Sequence, residues 1–239
     1  YIRGFGHKEP VLVPALVQLE GKQEFLKELA GLRTEGRIRL FVEGEEAAAD
    51  TGEIQLTSFG VSGIPAFQVS RYASYALLEG KDVKAQLDFL PELEKGQAKD
   101  RMWRRFSAYG EGKTAREALV GLFADKLAQV LLWQSGIAAD KPAVRCSRKE
   151  VGRLVFVAKE LVIDIIGTKG FDAAQVTAGG VDTGEIQART MESRLVPGLF
   201  FAGEVVDIDG MCGGYNLQWA WSSGAVAGKG AARYLRDSC

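Results

Sequence analysis

The chain has 239 residues, with 30 Lys and Arg against 31 Asp and Glu, so that its formal net charge is −1. This balance supplies no global field for nucleic acid or an anionic membrane, and we expect neither as a partner. No apolar run approaches the roughly 18 residues of a membrane span, and the three cysteines include no CxxC pair. The sequence therefore predicts neither a disulfide framework nor a zinc site, and it indicates a reducing, cytoplasmic setting.

The first 89 residues carry the period-two alternation of half-buried strands, which is clearest at 37–43, 53–57 and 81–89. Between the last two of these, residues 64–78 are expected to form a helix. Pro65 would sit in its first turn, where a missing backbone N–H costs nothing.

From 91 to 160 the spacing of apolar residues becomes helical. Residues 114–133 have the pattern of a single core helix, and Ser147 followed by Glu150 is a capping box for a further helix. Residues 161–167 then return to a β-branched strand. We therefore expect a helical unit inserted into a β unit, with 81–89 and 161–167 in one sheet.

One basic cluster in this helical part has two interpretations. Arg101, Arg104 and Arg105 interleave with Trp103 and Phe106, a combination that can bind nucleic acid. The cluster is short and lies beside acidic residues, so a solvated helix face is the favoured interpretation. A non-enzymatic, RNA-binding module of strands and helices remains the alternative function.

The last third of the chain carries the pattern of a nucleotide site. An apolar segment at 199–202, expected to be a strand, ends at Gly203 and is followed at once by Glu204. After a polar loop, the pair Gly213-Gly214 leads into a helix that starts near Tyr215. Glycines let the backbone approach a ligand, an acid can accept from a sugar hydroxyl, and free N–H groups at a helix start face negative charge.

The predicted C-terminal helix carries a seam of small residues. Ala220, Gly224, Ala227, Gly228 and Ala231 recur at three- and four-residue steps. Because each interior glycine costs roughly 1 kcal/mol relative to alanine, we expect the seam to lie close against a sheet or a ligand. The seam alone does not distinguish packing against a sheet from packing against a ligand, whereas the adjoining glycines and Glu204 favour a ligand.

Residues 176–224, VTAGGVDTGEIQARTMESRLVPGLFFAGEVVDIDGMCGGYNLQWAWSSG, resemble the C-terminal signature of the BaiN-like (YhiN-like) bacterial flavoproteins, which include aminoacetone oxidases. GHKEPVLVPALVQL, LTSFGVSGIPAFQVSRYA and IIGTKGFDAAQVTAGG fit the same family. The resemblance implies an α+β, multi-domain protein: a β-barrel-like insert with a helical bundle, followed by the C-terminal half of a Rossmann-like, two-dinucleotide-fold domain that binds FAD. The expected domains are 1–89 with 161–171, 90–160, and 172–239.

The resemblance also implies an activity. An FAD-dependent oxidoreductase of this family would reduce an organic acceptor with NAD(P)H, or oxidise a small amine with oxygen, so a small-molecule substrate is expected. The chain begins with Tyr1 and lacks the strand and GxGxxG that open a dinucleotide-binding fold. We therefore expect a C-terminal fragment that is inactive alone.

The expected cofactor contacts come from this resemblance. The resemblance implies that Glu204, next to Gly203, contacts the ribityl or pyrophosphate region of the flavin. The glycine pair Gly213-Gly214 would bring the helix start to the flavin ring, with the backbone N–H groups of Tyr215, Asn216, Leu217 and Gln218 directed at its N1/O2 edge. Catalytic residues are not apparent from the sequence.

Cysteine, histidine and aspartate residues are further candidates for the site. The thiol of Cys212 could lie near the flavin, although a small apolar filler is the favoured interpretation. The sole histidine, His7, receives no catalytic role. Asp207 and Asp209 lack the further oxygen ligands of a calcium loop, so no metal is expected.

Overall fold

The computed structural model describes residues 2–8, 10–109 and 112–238. In those residues ten strands follow one another: β1 (Val13–Ala15), β2 (Leu19–Gly21), β3 (Arg33–Val42), β4 (Glu45–Thr57), β5 (Gly60–Ser62), β6 (Val83–Asp88), β7 (Leu161–Thr168), β8 (Val176–Ala178), β9 (Ile186–Gln187) and β10 (Glu192–Ser193). The same residues form six α-helices: α1 (Ile64–Leu78), α2 (Lys95–Ala108), α3 (Ala115–Ala118), α4 (Asp125–Gln134), α5 (Arg148–Lys159) and α6 (Tyr215–Ser238).

The chain divides into two compact units. One runs from Gln18 to Thr168, and the other combines the residues up to Val17 with those from Lys169 onward. The N-terminal segment clusters with the C-terminal third because β1 pairs antiparallel with β8, Pro14 opposite Thr177. The finer division of the first unit into barrel and helical domains stays a prediction.

Six antiparallel strands of the first unit close into a barrel in the order β2-β5-β4-β3-β6-β7. Closure follows from the pairing of β2 with both β5 and β7. The strands on either side of the helical segment are neighbours, with Ala85 of β6 opposite Ile163 of β7. The prediction that 81–89 and 161–167 belong to one sheet is therefore confirmed.

The barrel interior is filled by the apolar half of each alternating strand. Ile38, Ile54 and Leu87 are fully buried, and their polar neighbours face outward. One close approach requires glycine: a Cβ on Gly60 would lie 1.9 Å from the carbonyl oxygen of Leu19. Gly60 therefore lets β5 pair with β2 and complete the ring.

Helix α1 contacts all six strands of the barrel and has the bounds that the sequence predicts, with Pro65 in its first turn. Its buried face carries Ala66, Val69 and Ala73, which pack against β3, β4 and β7. These small side chains let the helix lie close to the sheet.

The helical part departs from the prediction at one point. The single helix expected at 114–133 is two helices, α3 and α4, because Gly121 between them has a φ of +81° that ends helical geometry. The capping box before α5 is confirmed, since Ser147 accepts from the N–H of Glu150 and Glu150 bonds back. Arg105 donates to the carbonyl oxygens of Ala118 and Val120, so this guanidinium holds α3 against α2.

The second unit has a smaller core around Val181, Ile186, Met191, Phe201 and Val206. Its strands form two short ladders, β1 with β8 and β9 with β10. Among the residues described, no helix combines the length and the hydropathy that crossing a membrane requires.

The small-residue seam of α6 is phased differently from the prediction. Gly224 and Gly228 are exposed, and a Cβ on either would meet nothing within 4 Å in the described residues. The buried side is Ser223, Ala227 and Gly230, and there a Cβ on Gly230 would lie 2.5 Å from Thr190 O. Gly230 is the residue that makes the close approach, because the buried side of α6 is rotated from the expected seam by about one residue.

Candidate functional site

A pocket of about 370 Å³ opens at the start of α6, within the second unit. That volume lies at the lower end of the range for small-molecule sites, about 300–1,000 Å³. Five predicted site residues line it: Glu204, Gly213, Gly214, Asn216 and Leu217. The other three lie outside the lining: Gly203, Tyr215 and Gln218.

The glycine pair shapes one wall of this pocket. Gly213 and Gly214 have φ values of +122° and +92°, a region that side chains other than glycine rarely adopt. A Cβ on Gly214 would meet no atom of the described residues within 4 Å. The backbone therefore presents an uncovered surface beside the pocket, which is where a ligand can approach it.

The first turn of α6 follows directly. The N–H of Gln218 donates to the carbonyl oxygen of Gly214 at 3.0 Å, and this is the first bond of the helix. By position, the N–H groups of Tyr215, Asn216 and Leu217 have no acceptor within the helix. They give this end of the pocket a positive character that favours a negatively charged or electron-rich group.

The side chain of Asn216 closes the loop. Its Oδ1 accepts from Gly210 N at 2.7 Å, and its Nδ2 donates to Gly210 O at 3.0 Å. This pair of bonds holds the loop over the helix start in one conformation. The side chain is thereby used internally, which leaves the backbone N–H of Asn216 as the group for a ligand.

The segment at 199–202 is extended but forms no strand, which corrects the prediction. Its backbone makes one bridge, between Phe200 and Glu192, and Phe201 N donates to Met191 O at 2.9 Å. A strand needs consecutive ladder pairs, and this segment has a single bridged pair. A short 3₁₀ helix, Gly203–Val205, follows it.

Gly203 and Glu204 are held from two sides. The carbonyl oxygen of Gly203 accepts from Trp219 Nε1 at 3.0 Å, and its N–H donates to Ser223 Oγ at 2.9 Å. The carboxylate of Glu204 accepts from the backbone N–H of Thr177 in β8. Glu204 is therefore positioned at the pocket by β8, an anchor that the sequence pattern did not reveal.

The remaining walls are mainly apolar, and among them only Cys212 and Ala220 were considered near a ligand from the sequence. They are Leu16, Gln175, Val176, Ile208, Met211, Cys212, Trp219 and Ala220. Trp219 and Ala220 stand three and four residues after Asn216, so helical periodicity could have found them. Leu16, Gln175 and Val176 are brought in by the pairing of β1 with β8, for which the sequence carries no local signal.

The other residues weighed from the sequence have identifiable surroundings. Cys212 lines the pocket with its Sγ 3.8 Å from Gln175 Oε1. His7 is buried and bonds to Glu185 and Ser193, outside the pocket lining. Asp207 and Asp209 belong to no group of three or more potential metal ligands in the part of the chain that the structure describes.

The donor set of the pocket fits a flavin. Apolar walls such as Trp219 and Leu217 suit a flat ring, Glu204 can accept from a hydroxyl, and the helix start favours negative charge on a reduced ring. A bound flavin would supply the electron-transfer chemistry. The residues of the chain would bind and orient it, and the apolar walls would exclude water from one of its faces.

The structure is that of a mixed α/β protein, and comparison with known proteins gives the family and its Rossmann-like domain. The model of the HI0933-like protein Rossmann domain matches residues 39–230. The chain therefore belongs to the HI0933-like family, which confirms the resemblance to the BaiN-like flavoproteins.

Curated relatives of the chain are enzymes by name. The 3-dehydro-bile acid delta(4,6)-reductase of Clostridium scindens is 42% identical over 233 residues, covering 96% of this chain and 56% of the relative. The ribosomal RNA dihydrouridine synthase of Haemophilus influenzae is 36% identical over 176 residues, 72% of this chain and 40% of the relative. The enzyme of that name from Escherichia coli is 65% identical over 57 residues, 24% of this chain and 14% of the relative. The chain thus spans about half the length of the first two.

Proposed function

We propose that the full-length protein is an FAD-dependent oxidoreductase and that its flavin occupies the pocket at the start of α6. The observation that carries this proposal is the glycine pair: Gly213 and Gly214 expose backbone at the pocket and deliver the first-turn N–H groups of α6 to it. Glu204 forms the second contact, and Tyr215, Asn216 and Leu217 contribute the first-turn N–H groups. Gly203 and Gln218 support the site indirectly, because their backbone groups are bonded to Ser223, Trp219 and Gly214. Membership of the HI0933-like family supports the choice of cofactor.

We further propose that the reaction is a reduction driven by NAD(P)H, and that oxidation of an amine is not the activity. The names of both kinds of relative describe saturation of a carbon–carbon double bond, in a steroid acid and in uridine. Each turnover would consume one NAD(P)H and one proton per double bond reduced. The hydride would be added to the carbon of the double bond that a neighbouring carbonyl group makes electron-poor.

The substrate class proposed is a small organic molecule. The relative that matches almost the whole chain is named for such a substrate, and the net charge of −1 does not favour an RNA strand. The three cysteines, which include no CxxC pair, fit the reducing, cytoplasmic compartment that we propose for the protein.

The experiment measures NAD(P)H consumption by the purified full-length protein. A steroid 4-en-3-one, a uridine-containing RNA oligonucleotide and a primary amine with oxygen are offered in separate reactions. We expect consumption with the steroid and none with the amine. Turnover of the amine without NAD(P)H, or of RNA alone, would contradict the proposal.

A further inference from the structure

A groove of about 550 Å³ lies in the barrel-and-helix unit, which does not contain the α6 pocket. We call it the α4 groove. Its polar rim is formed by Lys27, Glu28, Lys126 and Gln129, and Trp133 stands at one end. Lys126, Gln129 and Trp133 share one face of α4, because residues three, four and seven apart lie on the same side of a helix.

The floor of the α4 groove is apolar and well packed. Val130 and Ile137 are each 4% exposed and Leu132 is fully buried, so these residues belong to the core of the unit. Trp133 differs, since 63% of it is exposed. A Trp side chain gains free energy when its ring is covered, so a ligand that lies flat on Trp133 would be stabilised there.

The rim adds a positive charge to this apolar surface. Lys126 Nζ donates to the carbonyl oxygen of Ala30 at 3.1 Å, which holds the ammonium over the segment that carries Lys27. Two ammonium groups face one carboxylate, Glu28, among the lining residues. Lys126 and Trp133 are seven residues apart, so their Cα positions are separated by about 10 Å along α4.

We propose that the α4 groove binds an amphipathic organic anion. A flat, apolar body covers Trp133 and the accessible alanines Ala138 and Ala139, and a carboxylate at its far end contacts Lys126 and Lys27. A nucleotide would fit less well, because its phosphate and ribose are polar and would leave Ala138 and Ala139 uncovered. The proposal does not depend on the flavin, since every residue in it belongs to the barrel-and-helix unit and not to the unit that contains the α6 pocket.

The test is a titration of the full-length protein with cholate, below the concentration at which cholate forms micelles, followed by calorimetry. Trp133→Ala should weaken binding by about ten-fold, as expected for loss of an aromatic contact. Lys126→Gln should weaken it about three-fold and reduce its dependence on salt. The methyl ester of cholate lacks the charge that both lysines contact, so it should bind wild-type protein more weakly than cholate binds Lys126→Gln.

Matched control variants distinguish binding in the groove from non-specific binding to exposed side chains. Phe156→Ala removes an aromatic that is 56% exposed on α5, and Lys99→Gln removes an exposed ammonium on α2; neither lines the groove. Both controls should bind cholate like the wild type. The proposal is overturned if Trp133→Ala behaves like Phe156→Ala, if cholate does not bind, or if adenosine monophosphate binds more tightly than cholate. Flavin content, measured in each variant, reports on the α6 pocket separately.

Discussion

His7 Nδ1 lies 2.7 Å from Glu185 Oε2, although 178 residues separate them in sequence. The other ring nitrogen, Nε2, lies 2.9 Å from Ser193 Oγ, and Ser193 also accepts from the N–H groups of Leu195 and Val196. The His7 side chain is fully buried. One histidine thus joins the N-terminal segment of the second unit to the segment that precedes Gly203.

This network predicts a stability defect for His7→Ala. The substitution removes the bonds that the buried imidazole makes to Glu185 and Ser193 and leaves a cavity, so we expect a loss of about 2–3 kcal/mol in the free energy of unfolding. The control is Lys8→Ala, which removes an exposed ion pair with Asp182 and should cost less than about 1 kcal/mol. Urea unfolding is followed by tryptophan fluorescence in a Trp103→Phe, Trp133→Phe background, in which only Trp219 and Trp221 of this unit emit. Equal losses in the two variants would contradict the assignment.

A second prediction concerns pH and the helical part. Lys141 and the capping bonds of Ser147 lower the pKa of Glu150 to about 2. A carboxylate whose pKa is depressed on folding contributes stability above its unfolded pKa, and this contribution is lost as the pH falls towards the folded value. Wild-type protein should therefore exceed Glu150→Gln in stability at pH 7, and the difference should shrink between about pH 4.5 and pH 2. Acid titration of both proteins by circular dichroism checks this, and a constant difference would count against it.

A third prediction concerns Glu204. Glu204→Ala removes the acceptor for Thr177 N–H and the acid at the pocket, so flavin affinity of the full-length protein should fall about ten-fold or more. The matched control is Glu192→Ala. Glu192 also accepts a backbone N–H, from Gly198 at 2.9 Å, but it does not line the pocket. Flavin released on dialysis is the measurement, and equal retention in both variants would remove Glu204 from the site.

Local patterns predicted most of the elements. Helix α1, the cap of α5 and the start of α6 lie where Pro65, Ser147 and Tyr215 indicate, because each depends on residues within one turn. The pairing of β6 with β7 followed from the switch in periodicity on either side of the helices.

The incorrect predictions concern features that are determined by contacts between distant parts of the chain. The segment at 199–202 has the composition of a strand, yet its backbone is bridged only at Phe200. Likewise, the sequence shows that α6 carries small residues but not that the core meets Gly230 rather than Gly224. Leu16, Gln175 and Val176 reach the pocket through the pairing of β1 with β8, and no local pattern encodes a contact between residues more than 160 positions apart.

Flavin occupancy in Gly214→Ala and Gly170→Ala tests the central claim most directly. Both glycines have positive φ, +92° and +72°, and a Cβ on either meets nothing within 4 Å in the described residues, so the two substitutions strain the backbone alike. Only Gly214 lines the α6 pocket. From the visible absorbance of oxidised flavin per chain of purified full-length protein, we predict full occupancy in Gly170→Ala and a severe loss in Gly214→Ala. Equal, undiminished occupancy in the two variants would contradict the account.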